Sequence, residues 1–389
     1  MDRKRAAAGL AVLGVIVVVV AVWASFAGAA PSRQTGTITG GGSTFVQPLV
    51  TAWTKAYKPS TIAYSGIGSG AGIAAISARN VDFGASDAPM SKDQFSGCHG
   101  CVQIPWAFSA TSIPYNVSGI SYGLKLTGPI IAGMYLGTIK YWDSPQIQKI
   151  NKGTNLPHEK VVPIYRSDGS GTSYNFTDYL SHVSKTWKNK VGKGTQPSFP
   201  TGVGARGSSG VAGKLKSTPG GITYVDVAYS LKNKFKIAKV RNRAGKFQLP
   251  GLVQIQAAAK SIKKLRASQN AFTAVDPNAH QPKAYPICTF TWVILPVKTG
   301  KASELKPFVK WALTKGQSFG PKLLFVKVPE ARTVKNRVHP DFHVADVEAE
   351  VGRLIELGAS RGESHRGHGF VWSVMFDPEG NEFCVGHPA

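Results

Sequence analysis

One short run of residues combines a cation, hydroxyl groups and small residues in an order suited to binding a tetrahedral oxyanion. Residues 166–172 read RSDGSGT, and a helix is predicted directly after them, over residues 173–180. Backbone N–H groups at a helix start lack partners inside the helix and carry the positive end of its dipole. Arg166 adds a planar fork that grips two oxygens, while Ser170 and Thr172 can each donate a hydroxyl proton. The run predicts an oxyanion site, although a segment rich in Gly and Ser is more often an ordinary loop.

Three earlier segments place a polar side chain where a predicted strand meets a predicted helix. They are GGGSTF at 40–45, after a strand over 35–39; YSGIGSGAGI at 64–73, with Ser69 at a helix start; and DFGASDAP at 82–89, in which a short strand ends on Asp87. Each segment alone fits ordinary turn chemistry, and Asp87 alone fits a helix N-cap before Pro89. Three such joins in one chain favour a binding site at the strand ends.

Five stretches closely resemble the substrate-binding protein of the phosphate-specific ABC transporter, in order from about residue 36 to about residue 324. They are the three segments above, GMYLGTIKYW at 133–142 and YRSDGSGTSYNFTDYL at 165–180. The resemblance implies phosphate contacts from Thr44, the backbone of Phe45, Ser69, Asp87, Arg166, Ser170, Gly171 and Thr172. Ser43 and Asp168 are expected to support these contacts, and Asp168 matches a position that pairs with the arginine. Read without the resemblance, Arg166 is equally a surface cation paired with Asp168.

The chemistry of Asp87 explains why this set should prefer phosphate. An ionised carboxylate only accepts hydrogen bonds, so it favours an anion that still carries a proton. Phosphate keeps a proton near neutral pH, whereas sulfate keeps none. Sulfate would leave a buried charged acceptor unpaired, at a cost of roughly 1–3 kcal/mol or more. We therefore expect discrimination by an unmatched acceptor rather than by size.

The body of the chain alternates predicted strands, such as 222–225 and 289–295, with predicted helices, such as 144–150 and 302–313. Such alternation indicates an α/β protein with ligands at strand ends. The resemblance implies a two-lobed periplasmic-binding-protein fold of type II, in which the chain crosses between the lobes twice. We expect lobe one over residues 36–114 plus 285–324 and lobe two over residues 115–284. Phosphate would be held in the cleft and would favour the closed state by contacting both lobes.

The chain is strongly basic, since 46 Lys plus Arg against 21 Asp plus Glu give a net charge of +25 over 389 residues. That length predicts two or more domains. A basic surface steers anions inward at a rate that falls with salt, and it equally fits an acidic cell wall or anionic lipid. Nucleic-acid binding is not expected, because the lysines between 140 and 264 are scattered and no helix-turn-helix, zinc-finger or RNA-recognition pattern is present.

The first 30 residues predict export. DRKR at 2–5 precedes an apolar run over 6–30, and the small residues at 27–29 suit signal peptidase. The run over 10–30 also approaches the length that spans a bilayer, so residues 1–30 are expected to be either a signal peptide or an N-terminal membrane anchor. No cysteine precedes Cys98, which excludes a lipidated N-terminal cysteine. We expect an extracytoplasmic protein, in a periplasm or at the cell-envelope surface.

Four cysteines are present, and two of them are expected to pair. Cys98 and Cys101 have C-x-x-C spacing in a polar loop of an exported chain, which favours a small structural disulfide over a thioredoxin-like redox site. A zinc site would need a second such pair. Cys288 lies in an apolar predicted strand over 287–295 and is expected to be a buried core residue.

The chain changes character near residue 324. Residues 328–389 hold 6 Lys plus Arg and 10 Asp plus Glu, a net charge of −4, whereas the residues before them carry +29. The patterns predict a strand over 337–344, an amphipathic helix over 346–357 closed by Gly358, and strands over 370–375 and 381–385 around a turn. This stretch resembles the second half, a βαβββ module, of a glyoxalase-like domain of the vicinal-oxygen-chelate superfamily. It is expected to be a half-domain fused to the binding protein.

Metal-dependent relatives of that superfamily bind metal through a histidine on the first strand and a glutamate on the last, which correspond here to His339 and Glu382. Those enzymes need two such modules to enclose the metal, and two protein ligands rarely hold a catalytic zinc or iron. Pro340 also departs from the usual hydrophobic residue. We therefore expect no metal and no cofactor, and a non-functional or pairing module, with His339 and Glu382 as the only metal-ligand candidates.

Two classes of function follow from these patterns. The first is a non-catalytic, exported phosphate receptor that delivers its ligand to the membrane permease of an ABC importer. The second is an enzyme, either a metal-dependent glyoxalase or dioxygenase in the tail or a phosphoryl-transfer enzyme in the body. Phosphoryl transfer is disfavoured because the predicted cleft set has no metal-binding carboxylate cluster and no paired nucleophile and general base. The receptor is the expected function.

Overall fold

A computed structural model describes residues 36–262, 274–276, 281–327, 341–367, 370–376 and 382–388. The predicted signal peptide or anchor over residues 1–30 lies outside these residues. Within the described ranges, no helix is both long enough and apolar enough to cross a membrane.

The helices and strands alternate along the body of the chain. The strands are β1 (Thr37–Gly42), β2 (Thr61–Gly66), β3 (Phe83–Ser86), β4 (Cys101–Ser112), β5 (Pro114–Asn116), β6 (Lys125–Leu126), β7 (Val162–Arg166), β8 (Val203–Ala205), β9 (Gly221–Ile222), β10 (Val225–Asp226), β11 (Lys236–Ile237), β12 (Lys239–Arg241), β13 (Phe247–Gln248), β14 (Ala274–Val275), β15 (Ile287–Pro296), β16 (Asp341–His343), β17 (Ser360–Gly367), β18 (Phe370–Phe376) and β19 (Glu382–Pro388). The α-helices are α1 (Gln47–Ala56), α2 (Ser69–Ser77), α3 (Lys92–Gly97), α4 (Gly128–Tyr135), α5 (Pro145–Ile150), α6 (Gly171–Val183), α7 (Lys185–Lys190), α8 (Gly207–Lys216), α9 (Val227–Lys232), α10 (Leu252–Lys260), α11 (Ala302–Leu313) and α12 (Val347–Glu356). Two short 3-10 helices, Lys315–Phe319 and Pro321–Leu323, follow α11.

The larger sheet has the strand order β10-β4-β15-β3-β1-β2, and β14 pairs with β15 beside it. β1 is parallel to both β2 and β3, with Gly42 in register with Gly66 and with Ala85. Because parallel strands end at the same edge of a sheet, the loops that follow β1, β2 and β3 lie side by side. We call the part of the chain built on this sheet the first lobe.

A second sheet has the order β11-β5-β9-β7-β8, and β6, β12 and β13 form a smaller sheet. β7 is parallel to β8, with Arg166 in register with Ala205, and it is also parallel to β9. The loops after β7 and β8 therefore leave the same edge. We call the part of the chain built on this second sheet the second lobe.

The chain passes from the first lobe to the second at Ile113, between β4 and β5, and it returns before β15. Between these crossings, β10 pairs with β4 at Ser112 and Thr111, so the second lobe touches the first sheet a further time. The prediction of one strand over 222–225 was therefore wrong. This stretch is divided into β9 and β10, which belong to different sheets.

Buried aromatic side chains fill the cores of the two lobes. In the first lobe, Trp53 on α1 packs edge-on against Trp106 on β4 at 5.1 Å between ring centroids. α11 completes this core, because its Phe308 is fully buried and lies 5.8 Å from the Phe83 ring. In the second lobe, Phe176 on α6 stacks on Tyr224 at 4.2 Å, which ties the helix that follows β7 to the sheet. Burying each such ring stabilises the fold by roughly 1.5–3 kcal/mol.

The C-terminal residues form a separate four-stranded sheet of order β16-β19-β18-β17. One face of this sheet packs on α12, where Val347 and Val351 contact Met375 and Val385. The described elements follow the order βαβββ, so the predicted module is confirmed in its secondary structure. The sequence patterns missed β17, because its residues SRGESHRG contain no apolar side chain and the strand is fixed by pairing with β18.

Two helix starts differ from the predictions. α1 begins at Gln47 rather than within the GGGSTF segment at 40–45, because Ser43 Oγ accepts the N–H groups of Phe45 and Val46 and a turn replaces the first helical bonds. α6 begins at Gly171, two residues before the predicted start, because Ser170 caps it by accepting the Ser173 N–H at 3.2 Å.

Candidate anion-binding site

The loops at the strand ends of the two lobes meet across one cleft. The Gly70 N–H of the first lobe donates to the Gly169 carbonyl of the second at 2.9 Å. A Cβ placed on Gly171 would lie 2.7 Å from Asp87 Cβ, from the Asp87 backbone nitrogen and from Ser69 Oγ. The first turn of α6 therefore sits directly on the loops that follow β2 and β3.

The glycine at 68 is required by this close approach. Its φ of +95° lies in the region that favours glycine, and a Cβ there would lie 2.6 Å from Asp168 Oδ2. The sequence GIGSG thus lets the start of α2 turn underneath the Arg166 loop.

Arg166 is the buried cation of the cleft. Its side chain is 2% exposed, and its Nε and Nη2 donate to the two oxygens of Asp168 at 2.7 and 2.5 Å. Its remaining group, Nη1, points across the cleft to Thr44 Oγ1 at 3.2 Å. Although burial raises the pKa of Asp168, the hydrogen bonds and charge of Arg166 hold it below its usual range. Asp168 therefore stays ionised and orients the guanidinium.

Asp87 is the buried carboxyl group of the cleft and is 1% exposed. Ser43 Oγ lies 2.6 Å from Oδ1 and 2.7 Å from Oδ2, so its single proton bonds the carboxylate, while Ser69 Oγ lies 3.4 Å from Oδ2. Burial raises the pKa of Asp87 to about 6, against the hydrogen bonds of Ser43 and Thr291 and the charge of Arg166, which lower it. At neutral pH the group is an ionised acceptor whose desolvation favours a donor from a ligand.

The hydroxyl of Thr172 points to an unfilled interaction. Thr172 is 1% exposed, and its Oγ1 has no hydrogen-bond partner among the residues that the structure describes. A buried hydroxyl without a partner costs free energy unless a ligand or water satisfies it. Ser170, two residues earlier, uses a lone pair to cap α6, so its own hydrogen remains for donation.

The structure brings the predicted residues into one neighbourhood, with one difference in detail. The residues concerned are Ser43, Thr44, Phe45, Ser69, Asp87, Arg166, Asp168, Ser170, Gly171 and Thr172. The Phe45 N–H, expected to face the anion, donates to Ser43 Oγ at 3.0 Å. Ser43 thereby links that backbone group to Asp87, which fits the supporting role expected of it.

Sequence reasoning missed several polar groups behind this neighbourhood. Ser208, at the start of α8, lies with its Oγ 2.8 Å from Thr44 Oγ1. The Tyr224 hydroxyl accepts the backbone N–H of Arg166 at 3.0 Å and contacts Ser173 Oγ at 2.7 Å. The sequence signal for Ser208 was a Gly-Ser pair between β8 and α8, which is the same strand-to-helix arrangement as in the other segments. Tyr224 reads only as a core aromatic.

A second buried carboxyl group, Asp226, stands where β10 meets β4. Its Oδ1 accepts the Ala228 N–H at 2.8 Å, and its Oδ2 has no hydrogen-bond partner among the described residues. Burial, together with the charge of Asp87, raises the pKa of Asp226 well above its usual range. Asp226 therefore holds its proton more readily than an exposed aspartate does.

The remaining predicted sites lie elsewhere. Cys98 and Cys101 form a disulfide at the end of α3, and Arg79 Nη2 donates to the carbonyls of Cys98 and His99 beside it. His339 lies outside the described residues, and Glu382 begins β19. Within the described part of the chain, no group of three or more His, Cys, Asp or Glu side chains is placed to hold a metal ion.

Comparison with known proteins identifies the family. A sequence profile described as the PBP superfamily domain matches residues 27–315. The phosphate-binding protein PstS of Xylella fastidiosa (strain Temecula1) is 38% identical over 299 residues, which cover 75% of this chain and 81% of that protein. The chain belongs to the PBP superfamily and, within it, to the PstS family. PstS of Methanocaldococcus jannaschii is 34% identical over 303 residues, covering 71% of this chain and 78% of that protein.

Solved structures of phosphate-binding proteins share the fold. The periplasmic phosphate-binding protein PfluDING, bound with phosphate, is 24% identical with a TM-score of 0.61 and covers 75% of this chain and 91% of its own. The phosphate-binding protein of Stenotrophomonas maltophilia is 20% identical with a TM-score of 0.58, covering 76% and 92%. The predicted two-lobed α/β fold of type II is therefore confirmed.

A second profile, the glyoxalase-like domain, matches residues 299–386. The chain is thus a member of the PstS family joined to a glyoxalase-like segment, as its sequence predicted. The two profiles overlap over residues 299–315, which contain α11. The structure places α11 in the core of the first lobe, where Leu305, Phe308 and Ala312 are buried.

Proposed function

We propose that this chain is an extracytoplasmic receptor for inorganic phosphate, which it holds between its two lobes and delivers to the membrane permease of an ABC-type phosphate importer. The proposed lobes comprise residues 36–114 plus 285–324 and residues 115–284, and residues 1–30 direct export, either as a signal peptide or as a membrane anchor. The relatives named above as phosphate-binding proteins support this assignment.

The observation that carries the proposal is the pairing of opposite chemistries across one buried cleft. The second lobe supplies donors, namely Arg166, the hydroxyl of Ser170, the N–H groups at the start of α6 and the hydroxyl of Thr172, which has no partner among the residues that the structure describes. The first lobe supplies an acceptor, Asp87, which burial leaves in need of a proton donor. A tetrahedral anion that retains one proton satisfies both sides, whereas a fully deprotonated anion satisfies only the second lobe.

The same geometry supports binding without catalysis. The buried charged side chains of the cleft already have protein partners, since Asp168 pairs with Arg166 and the Ser43 hydroxyl donates to Asp87. A phosphoryl-transfer enzyme would instead require a metal-binding carboxylate cluster or a nucleophile activated by a general base. Among the described residues of the cleft, the hydroxyls of Ser43 and Ser69 both donate hydrogen bonds to Asp87. In the proposed receptor, Asp87 binds the ligand's proton and does not activate either hydroxyl as a nucleophile.

Titration calorimetry of the purified protein with phosphate and sulfate tests the proposal. We expect phosphate to bind with one site per chain, sulfate to bind far more weakly, and a chelator to leave both unchanged. Absence of phosphate binding, or equal binding of sulfate, would contradict it.

The glyoxalase-like segment raises the second candidate function, a metal-dependent lyase or dioxygenase. We propose that it is instead a non-catalytic appended module, because one βαβββ unit supplies half of the ligands that such a site needs. Metal analysis of the purified chain separates the two, since stoichiometric zinc, iron or manganese would favour the enzyme.

A further inference from the structure

The hydroxyl of Thr44 belongs to the first lobe but is surrounded by polar atoms of the second. Arg166 Nη1 donates to its oxygen at 3.2 Å, the Ser208 N–H donates to it at 3.3 Å, and Ser208 Oγ lies 2.8 Å away. Thr44, Arg166 and Ser208 are 6%, 3% and 0% exposed. These contacts span the cleft, so they exist only while the lobes are closed.

The number of hydrogen bonds that the Thr44 hydroxyl can make limits how it interacts with these groups. A hydroxyl oxygen accepts two hydrogen bonds and donates one. The N–H groups of Arg166 and Ser208 fill both acceptor positions, so the Thr44 hydrogen is its one remaining capacity. Ser208 Oγ lies 2.8 Å from the Thr44 oxygen and is placed to accept that hydrogen.

The position of Ser208 is itself fixed by the arginine clamp. The Gly207 N–H donates to Asp168 Oδ1 at 3.0 Å, and Gly207 has a φ of +71°, which turns the chain from β8 into α8. Asp168 thus holds Arg166 with its two oxygens and the start of α8 with one of them. The side chain of Asp168 connects the cation of the cleft to the residue that grips Thr44.

We propose that Ser208 is a positioning residue of the anion site, which orients the Thr44 hydroxyl and latches the first turn of α8 to the first lobe in the closed state. The inference rests on the proposed function, since the anion is phosphate. Release of phosphate requires the cleft to open and therefore breaks the Ser208 contacts, whereas capture begins before they form. The latch consequently slows dissociation and leaves association unchanged.

The variant S208A tests the latch, with S209A as its matched control. Ser209 is the next residue of α8, it is exposed, and the control removes the same hydroxyl from the same helix. Dissociation is measured by chasing radiolabelled phosphate with unlabelled phosphate. We expect S208A to release phosphate about five to ten times faster than wild type, with an unchanged association rate, an unchanged ratio of phosphate to sulfate affinity and an unchanged melting temperature without phosphate. S209A should match wild type in every measurement.

An unchanged dissociation rate in S208A would overturn the proposal, as would a fall in the ligand-free melting temperature large enough to show a purely structural role. S208G removes the same hydroxyl and serves as the second variant. If wild type itself fails to bind phosphate, the proposed function fails, and that outcome is distinct from a wild type that binds phosphate and an S208A that binds it equally well.

A double-mutant cycle with T44V checks that Ser208 acts through Thr44. Because T44V removes the hydroxyl that Ser208 contacts, S208A should accelerate dissociation much less in the T44V background than in wild type. Equal acceleration in both backgrounds would contradict the assigned route.

Discussion

Gly171 gives the sharpest perturbation of cleft closure, because an added methyl group has no room in the closed state. In G171A the new Cβ would lie 2.7 Å from Asp87 Cβ, the Asp87 nitrogen and Ser69 Oγ, whereas ordinary contact begins at 3.4 Å. Three atoms on the opposite lobe must each retreat by about 0.7 Å. The backbone of Gly171 is not in the left-handed region, so alanine itself fits the helix start.

The cost of the misfit falls on binding and not on folding. Overpacking of this size costs roughly 1–3 kcal/mol, which corresponds to roughly 5- to 150-fold in Kd. Opening of the cleft relieves the contact, so the ligand-free protein should keep its melting temperature or exceed it slightly, since alanine reduces the entropy of the unfolded chain.

Calorimetry with phosphate and thermal unfolding without it measure the two effects separately. G213A is the matched control, because Gly213 lies on α8 of the same lobe and a Cβ there meets no atom of the described residues within 4 Å. We expect G213A to bind phosphate as wild type does. A G171A variant with wild-type affinity would refute the closed arrangement, and one with a strongly lowered ligand-free melting temperature would refute the claim that closure alone is affected.

Further expectations concern Asp87 and Thr172. D87N should raise sulfate affinity relative to phosphate by roughly 5- to 150-fold in competition calorimetry, because the amide supplies a donor where the carboxylate only accepts. An unchanged ratio would show that Asp87 does not discriminate against sulfate. Since burial raises the pKa of Asp87 to about 6, the wild-type carboxyl gains a proton as pH falls through that value. The affinity for sulfate relative to phosphate should then rise in wild type, and D87N should abolish this pH dependence. The same raised pKa means that the contribution of Asp87 to ligand-free stability is full below its unfolded value and is lost as pH rises through about 6, which melting curves from pH 4 to pH 8 can follow. T172V removes a buried hydroxyl that has no partner in the described part of the chain, so it should weaken phosphate binding by roughly tenfold or more while leaving ligand-free stability equal or higher. Loss of both would show that the hydroxyl serves the fold.

The sequence was sufficient to place the polar residues at the ends of parallel strands, because local patterns determine them. Asp87 follows the buried strand β3, and RSDGSGT follows β7, so both leave a carboxyl edge of a sheet. Whether those two edges face each other depends on contacts such as Gly70 with Gly169, which lie far apart in sequence. Long-range approach of backbone to backbone leaves no periodic signal.

The elements that sequence patterns missed share one cause, which is that tertiary pairing determines them. β17 is polar throughout and becomes a strand through β18, and the stretch 222–225 is divided because its two ends pair with different sheets. Ser208 looks like an ordinary Gly-Ser turn until Asp168 and Thr44 are placed beside it.

The PstS-like part of the chain and the glyoxalase-like segment join after the residues that complete the first-lobe core. α11 supplies buried residues to the first-lobe core, the 3-10 helices after it pack partly buried side chains against that core, and Phe325 packs edge-on against Phe45 at 6.0 Å. The PstS-like fold is therefore carried through to about residue 326, where Val326 bridges to Phe108 on β4. Residues that belong to the four-stranded sheet begin at β16.

The most direct test of the central claim is a crystal structure of the protein grown with phosphate. Binding of phosphate between the two lobes requires a single tetrahedral ion in the cleft, within hydrogen-bonding distance of Thr172 Oγ1 and the Arg166 guanidinium on one side and of an Asp87 oxygen on the other. A phosphate ion bound elsewhere, or a cleft in which Asp87 and Arg166 contact no common ion, would contradict it.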